Sequence, residues 1–115
     1  MFDFVQSLRS LENLLENALK YAPVESAVEL GVKCEGGALE FRIADRGPGI
    51  VPQERERVFE PFYRSPGTPA DTGGTGLGLA IARRLAREQG GEVRHLPREG
   101  GGSIFILSLP AVRHS

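Results

Sequence analysis

Gly73-Gly74-Thr75-Gly76-Leu77-Gly78-Leu79-Ala80-Ile81-Ala82-Arg83 is the stretch on which the reading of this chain turns. Four glycines in six positions run straight into an apolar-periodic segment. Leu77, Ala80, Ile81, Ala82, Leu85 and Ala86 recur at helical spacing, with Arg83, Arg84, Arg87 and Glu88 between them. A glycine run that opens a helix leaves backbone N–H groups unpaired at the positive end of the helix dipole, and that suits a phosphate. A plain flexible loop ahead of a core helix fits the same residues, and the stretch alone does not choose. Spacing excludes two familiar phosphate loops. The P-loop needs Lys and then Ser or Thr after its last glycine, where this chain has Leu79 and Ala80. The dinucleotide pattern G-x-G-x-x-G needs glycine where Leu79 or Ile81 stands.

Outward from that stretch, 115 residues make one domain, large enough to bury roughly 65% of its unfolded surface. With 40% hydrophobic and 25% charged residues, the composition is that of an ordinary soluble globular protein. A net charge of -1 gives no support to broad binding of nucleic acid or anionic membrane. A single cysteine, Cys34, rules out an internal disulfide and a Cys-rich metal site and fits a reducing compartment. No apolar run approaches the roughly 20 residues of a membrane span, and there is no secretory signal. The expectation is a cytoplasmic domain, with membrane anchoring of a longer protein left open.

Upstream, Val5 to Ala22 reads as a first helix with an apolar stripe of Val5, Leu8, Leu11, Leu15, Ala18, Leu19 and Ala22, stopped by Pro23. Its other side carries Glu12, Asn13, Glu16, Asn17 and Lys20. Asn13 and Asn17 lie one turn apart on one side, although asparagine is a poor interior helix residue. They are either ordinary solvated residues or amide oxygens offered to a hard cation, with Lys20 placed to meet an anion. Ala27 to Cys34 and Leu39 to Ala44 then read as an antiparallel pair joined at Glu35-Gly36-Gly37. Val28, Leu30, Val32 and Cys34 fall on one side of the first strand. The second ends in Asp45-Arg46-Gly47-Pro48-Gly49-Ile50. That segment is either a plain turn or a carboxylate aimed at an exocyclic amine, with Gly47 and Gly49 letting a flat ring approach the backbone.

Pro52 to Val58 allows a short helix, and Phe59-Glu60-Pro61-Phe62-Tyr63-Arg64 follows with three aromatics in five residues. Residues 64 to 76 are rich in Ser, Pro, Gly, Thr and Ala and read as a lid rather than an inert loop. The helix over Leu77 to Gln89 ends at Gly90-Gly91, and a last hairpin pairs Glu92 to Leu96 with Ser103 to Leu109 across Pro97 to Gly102. Ile104, Ile106 and Ser108 alternate with Phe105, Leu107 and Leu109, so both faces of that strand are largely apolar, as in a central strand. Residues 110 to 115 read as a tail.

Four motifs now stand in order: Asn13 to Tyr21, Asp45 to Ile50, Phe59 to Phe62, and Gly74 to Leu79. Together they resemble the N, G1, F and G2 boxes of the ATP-binding catalytic domain of bacterial sensor histidine kinases, within the GHKL superfamily shared with Hsp90, DNA gyrase B and MutL. The resemblance covers nearly the whole chain. It implies an α+β fold, the two-layer α/β sandwich of Bergerat type, with a mixed, mostly antiparallel sheet of about five strands and helices on one face. It also implies Mg²⁺ on Asn17, with Asn13 one turn earlier toward the same phosphates and Lys20 and Tyr21 nearby. Asp45 would accept from the adenine amino group, with Gly47 and Gly49 flanking the ring and Ile50, Phe59 and Phe62 in the matching boxes. Arg64 and the lid would close over the phosphates, held by the amides of Gly74, Gly76 and Gly78, with Thr75, Leu77 and Leu79 also in the nucleotide-binding set. By the resemblance, Asn13, Asn17, Lys20 and Arg64 carry phosphoryl transfer from ATP.

The hydrolysing relatives usually place a water-activating Glu where Asn13 stands, so the expectation is a weak ATPase suited to a non-water acceptor. A neutral imidazole has a free lone pair and less need of a base. The resemblance implies an acceptor histidine on a separate helical dimerisation domain, and His95 in the last hairpin and His114 in the tail read as structural or surface residues rather than acceptors. The chain thus reads as an excised catalytic domain beginning at Met1, with a response regulator downstream. An anti-sigma-factor type serine kinase of the same superfamily and a degenerate, non-catalytic scaffold are the alternatives.

Overall fold

The computed structural model describes residues 4–21, 26–63 and 77–110. Four strands form one sheet: β1 (Glu29–Glu35), β2 (Ala38–Asp45), β3 (Glu92–Pro97) and β4 (Ser103–Pro110). Their order is β1-β2-β4-β3 and every pairing is antiparallel. Two helices, α1 (Phe4–Tyr21) and α2 (Gly78–Glu88), make the second layer. Among the described residues the sheet has four strands rather than about five. The two-layer α+β architecture is as expected.

The apolar character of both faces of β4 places it inside the sheet. Phe105, Leu107 and Leu109 point to the helices and Ile106 to the other side, and each is at most 1% exposed. Ile43, Phe105 and His95 form one cross-strand row, and Phe41, Leu107 and Val93 the next. On the open face Ile106 lies between Arg42 and Arg94, both of which reach Glu40. Long basic side chains cover apolar surface with their stems while their heads stay wet.

The buried side of α1 differs from the apolar stripe read in its sequence. Leu14, Ala18 and Ser10 are fully buried and Ser7 nearly so, while Val5, Leu8 and Leu19 are exposed. The cause is α2, which presents the small, fully buried Ala82 and Ala86 to α1. Two helices approach closely where both offer small side chains, and the contact then favours serine over leucine. Ser10 Oγ donates to the Ala82 carbonyl at 2.8 Å, and Ser7 Oγ donates to Gln89 Oε1 at 3.1 Å. Advancing along α1 from Ser7 to Ser10 therefore means retreating along α2 from Gln89 to Ala82, so the helices run antiparallel.

The first strand also differs in its surroundings. Leu30, Val32 and Cys34 share the helix-facing side with Ile43, Phe41 and Leu39, as their alternation implies. They are nevertheless exposed, because β1 is an edge strand beyond the reach of α1 and α2 among the described residues. The segment read as one short helix is two 3₁₀ turns, Pro52–Glu54 and Arg57–Phe59. At the end of α2, Gly91 N–H donates to the Ala86 carbonyl and Gly90 N–H to that of Arg87, the pattern of a glycine-capped terminus.

Candidate functional site

Asp45 is the last residue of β2 and shares the helix-facing side with Ile43, so a carboxylate lies where an apolar side chain is expected. It is only 3% exposed. Burying a carboxylate is unfavourable unless hydrogen bonds replace its water. One bond is supplied locally, where Gly47 N–H donates to Asp45 Oδ1 at 2.7 Å and fixes the side-chain rotamer. The second oxygen, Oδ2, has no hydrogen-bond partner among the described residues.

Glycines pack closely on the main chain at this residue. Gly102, in the turn between β3 and β4, has φ +112 and packs so tightly that a Cβ there would overlap the Asp45 carbonyl oxygen and sit 2.9 Å from Arg46 Cα. Gly49, at φ +77, packs on Gly102 in turn, its added Cβ falling 3.2 Å from the Gly102 carbonyl oxygen. Sequence reasoning took Gly102 for turn filler. The available signal was the run Gly100-Gly101-Gly102, more glycine than a hairpin turn requires. Ser103, the cross-strand partner of Asp45 and 4% exposed, was also missed.

The antiparallel packing of the helices orders the rest of the site. Asn17 lies about 10 Å beyond Ser10 along α1, and Gly78 lies about 6 Å before Ala82 along α2, at 1.5 Å per residue. The N-terminus of α2 therefore runs beside the turns that carry Asn13 and Asn17. Those asparagines are half-buried, flanking Leu14 and Ala18, while Lys20 is exposed and Tyr21 closes the helix. Leu77 starts α2 with no side-chain cap, and Ile81 N–H to the Leu77 carbonyl is the first helical bond. The amides of Gly78, Leu79 and Ala80 thus have no intrahelical acceptor, and no described residue lies within 4 Å of a Cβ added at Gly78. Leu79 and Ile50 are partly buried against the core cluster, which joins this terminus and the Asp45 loop to one body.

Other expected residues sit differently. Phe59 is a core residue, 7% exposed, edge-on to Phe105 at 6.2 Å with the Arg83 guanidinium 4.0 Å above its ring. Phe62 is 70% exposed and holds a left-handed backbone, φ 65, unusual for a bulky residue. Arg64, Gly74, Thr75, Gly76 and the remainder of the expected lid lie outside the described residues, as does His114. His95 is buried, in keeping with a structural residue.

Farther along α2, Arg83 and Arg87 converge on Glu92 of β3 at 2.9 and 3.0 Å, and Arg83 also reaches Glu56. Burial works against the charge on Glu92, but these arginines and the Val93 amide outweigh it and hold the carboxyl at about 2. Burial likewise opposes the Arg83 charge, yet Glu56 and Glu92 raise its pKa. This network ties α2 to the sheet. An open groove of about 590 Å³ on the outer side of α2, lined by Phe59, Pro61, Leu77 and Ile81, includes none of Asp45, Asn13 or Asn17.

No cluster of three or more His, Cys, Asp or Glu among the described residues is arranged to hold a metal. Asn13 and Asn17, on the turns beside the α2 terminus, offer neutral amide oxygens. They can share a hard cation with an anionic ligand but cannot retain one unaided. None of the described helices is long and apolar enough to cross a membrane.

The model of the family described as histidine kinase-, DNA gyrase B-, and HSP90-like ATPase matches residues 5–113. The chain is 42% identical over 104 residues to the sensor-like histidine kinase SenX3 of Mycobacterium tuberculosis, covering 90% of this chain and 25% of that protein. Among solved structures, the mycobacterial sensor histidine kinase MprB superposes with a TM-score of 0.88 at 34% identity, covering 99% of this chain and 78% of that one. Full-length ShkA in complex with AMPPNP superposes with a TM-score of 0.77 at 35% identity, covering 96% and 23% respectively. The chain spans about a quarter of the length of the curated relative.

Proposed function

We propose, from the premise that this chain belongs to the histidine kinase-, DNA gyrase B- and HSP90-like ATPase family, that it binds MgATP and donates the γ-phosphate to a histidine on a separate helical domain of a two-component sensor kinase. One observation carries the reading. A buried carboxylate, Asp45, has one oxygen fixed by Gly47 N–H and the other without a partner among the described residues, at a strand end whose main chain packs on Gly102. The kinship to sensor histidine kinases and the AMPPNP bound in ShkA support ATP and a histidine acceptor over a serine acceptor or a scaffold.

In this reading Asp45 accepts from the adenine amino group, and the amides of Gly78 and Leu79, which have no acceptor within α2, bind phosphate oxygens at its positive end. Gly74, Thr75 and Gly76 extend that cradle, and Arg64 with the lid 64–76 shields it from water. Asn17, assisted by Asn13, offers amide oxygen to Mg²⁺, and Lys20 adds a positive charge. The donor set fits a hard cation shared with phosphate, and when bound the ion neutralises charge on the transferring group. Phosphoryl transfer needs positioning and charge neutralisation more than covalent help, and these residues supply both. Asn13 brings no carboxylate to activate water, so hydrolysis stays slow while a histidine, needing no base, accepts.

The test is to mix this chain with the isolated helical phosphoacceptor domain of its own kinase and radiolabelled ATP. Acid-labile, base-stable label on that domain, with none on this chain alone, is the expected result. Label that appears on this chain, or on a serine of the partner, refutes it.

A further inference from the structure

His95 occupies a position where an apolar residue would be ordinary. It is 6% exposed on the helix-facing side of β3, packed against its direct cross-strand neighbour Phe105 with ring centroids 5.1 Å apart. Its Nε2 lies 2.9 Å from Ser103 Oγ, and its Nδ1 is buried with no partner among the described residues. Ser103 is in turn the direct cross-strand partner of Asp45. His95, Ser103 and Asp45 thus step across β3, β4 and β2 on one face, by one diagonal and one direct pairing, at the sheet end closed by Gly102.

The ring has one hydrogen to place. Burial and the nearby Arg55 charge lower the His95 pKa to about 4, so the imidazole is neutral at pH 7. A hydrogen on Nδ1 would strand a buried donor, whereas a hydrogen on Nε2 donates to Ser103 Oγ and strands only a lone pair. Orphaned donors are the rarer and less tolerated case. With Nε2–H donating, the Ser103 hydroxyl cannot return its own hydrogen to His95. No side-chain hydrogen bond joins Ser103 to Asp45 among the described residues, so that hydrogen is available to the space beside the carboxylate.

We propose that His95 is a positioning residue for base recognition, locking the Ser103 hydroxyl as a donor beside the Asp45 acceptor. This inference rests on the reading of Asp45 as the adenine acceptor. An acceptor and a donor side by side match the adenine edge, where the 6-amino group donates and N1 accepts. Hypoxanthine and guanine present the reverse order, a 6-oxo acceptor and an N1–H donor. A site built to pair such groups discriminates by leaving the wrong base unpaired.

Calorimetric titration of this chain with ATP and with ITP tests it, on wild type, His95→Leu, His95→Gln, Ser103→Ala and the His95→Leu/Ser103→Ala double variant, each checked by thermal melting. His95→Leu is expected to weaken ATP about tenfold, the scale of one hydrogen bond, while ITP changes by less than about twofold. His95→Gln, whose amide nitrogen falls near Nε2, restores ATP binding, and His95→Leu adds nothing once Ser103 is alanine. A folded His95→Leu with the wild-type ATP constant, or with equal losses for both nucleotides, overturns the proposal and leaves His95 a packing role. Should His95→Leu not fold, wild-type ATP affinity in Ser103→Ala overturns it alone. Asp45→Asn separates the levels: loss of binding there beside an unchanged His95→Leu refutes only this inference. A wild-type chain that binds no ATP refutes the proposed function as well.

Discussion

Gly102→Ala addresses a contact on which the shape of the site depends. The substitution adds one methyl group in a turn, far in sequence from Asp45. At φ +112 a side chain is strained, of the order of 1–3 kcal/mol. The added Cβ also overlaps the Asp45 carbonyl oxygen and lies 2.9 Å from Arg46 Cα, closer than real Cβ atoms come. Both obstacles are backbone, so the turn or the end of β2 must move by about 1 Å. The summed effect is about 3 kcal/mol, in the range of overpacking plus strain. That lowers the melting midpoint by more than about 10 °C in a domain of this size. Displacing Asp45 by about 1 Å strains its hydrogen bond to adenine and weakens ATP binding by about tenfold or more. Gly101 supplies the control, since its φ of +110 is nearly the same and nothing lies within 4 Å of an added Cβ. Gly101→Ala should carry the strain but not the clash, losing about 1–2 kcal/mol with ATP affinity intact. Melting by circular dichroism and titration with ATP read both variants. Equal behaviour of the two, in stability and in binding, would refute the argument from close approach.

Replacing Ser10 by Leu should destabilise the fold by at least about 2 kcal/mol by forcing α1 from Ala82, read by urea unfolding. A stability within about 0.5 kcal/mol of wild type would contradict the small-residue contact. A pH profile of stability should carry the signature of His95. Its folded-state pKa, about 4, lies below the unfolded value of 6.5, so the unfolded chain binds more protons between them. Stability then rises with pH across that window by up to about 3 kcal/mol, and His95→Leu should flatten the slope. An unchanged slope in His95→Leu would show that His95 does not titrate as described.

Much of this fold could be read from the chain because the deciding signals are local. The glycine run and the apolar period locate α2, and the two-sided apolar pattern of Ile104 to Leu109 places β4 inside the sheet. Asp45 and the two asparagines stand out because each is the wrong residue type for its element. What escaped depends on partners distant in sequence. The buried serines of α1 make sense only against Ala82 and Ala86, and the exposed Leu30 and Val32 only once β1 is known to lie at the edge. Gly102 reads as a turn until its turn is folded against Asp45. The His95–Ser103 bond spans a diagonal that requires the strand register. The resemblance implies a nucleotide-binding role for Phe59, and its burial between Phe105 and Arg83 is visible only in the folded chain.

The central claim is that Asp45 and Asn17 form the two ends of one MgATP site. Calorimetric titration of ATP, with and without Mg²⁺, into wild type, Asp45→Asn and Asn17→Ala tests it most directly. Binding in the wild type, its loss in folded Asp45→Asn, and loss of the Mg²⁺ dependence alone in Asn17→Ala are the predicted results. A folded Asp45→Asn that binds ATP as the wild type does would contradict the account.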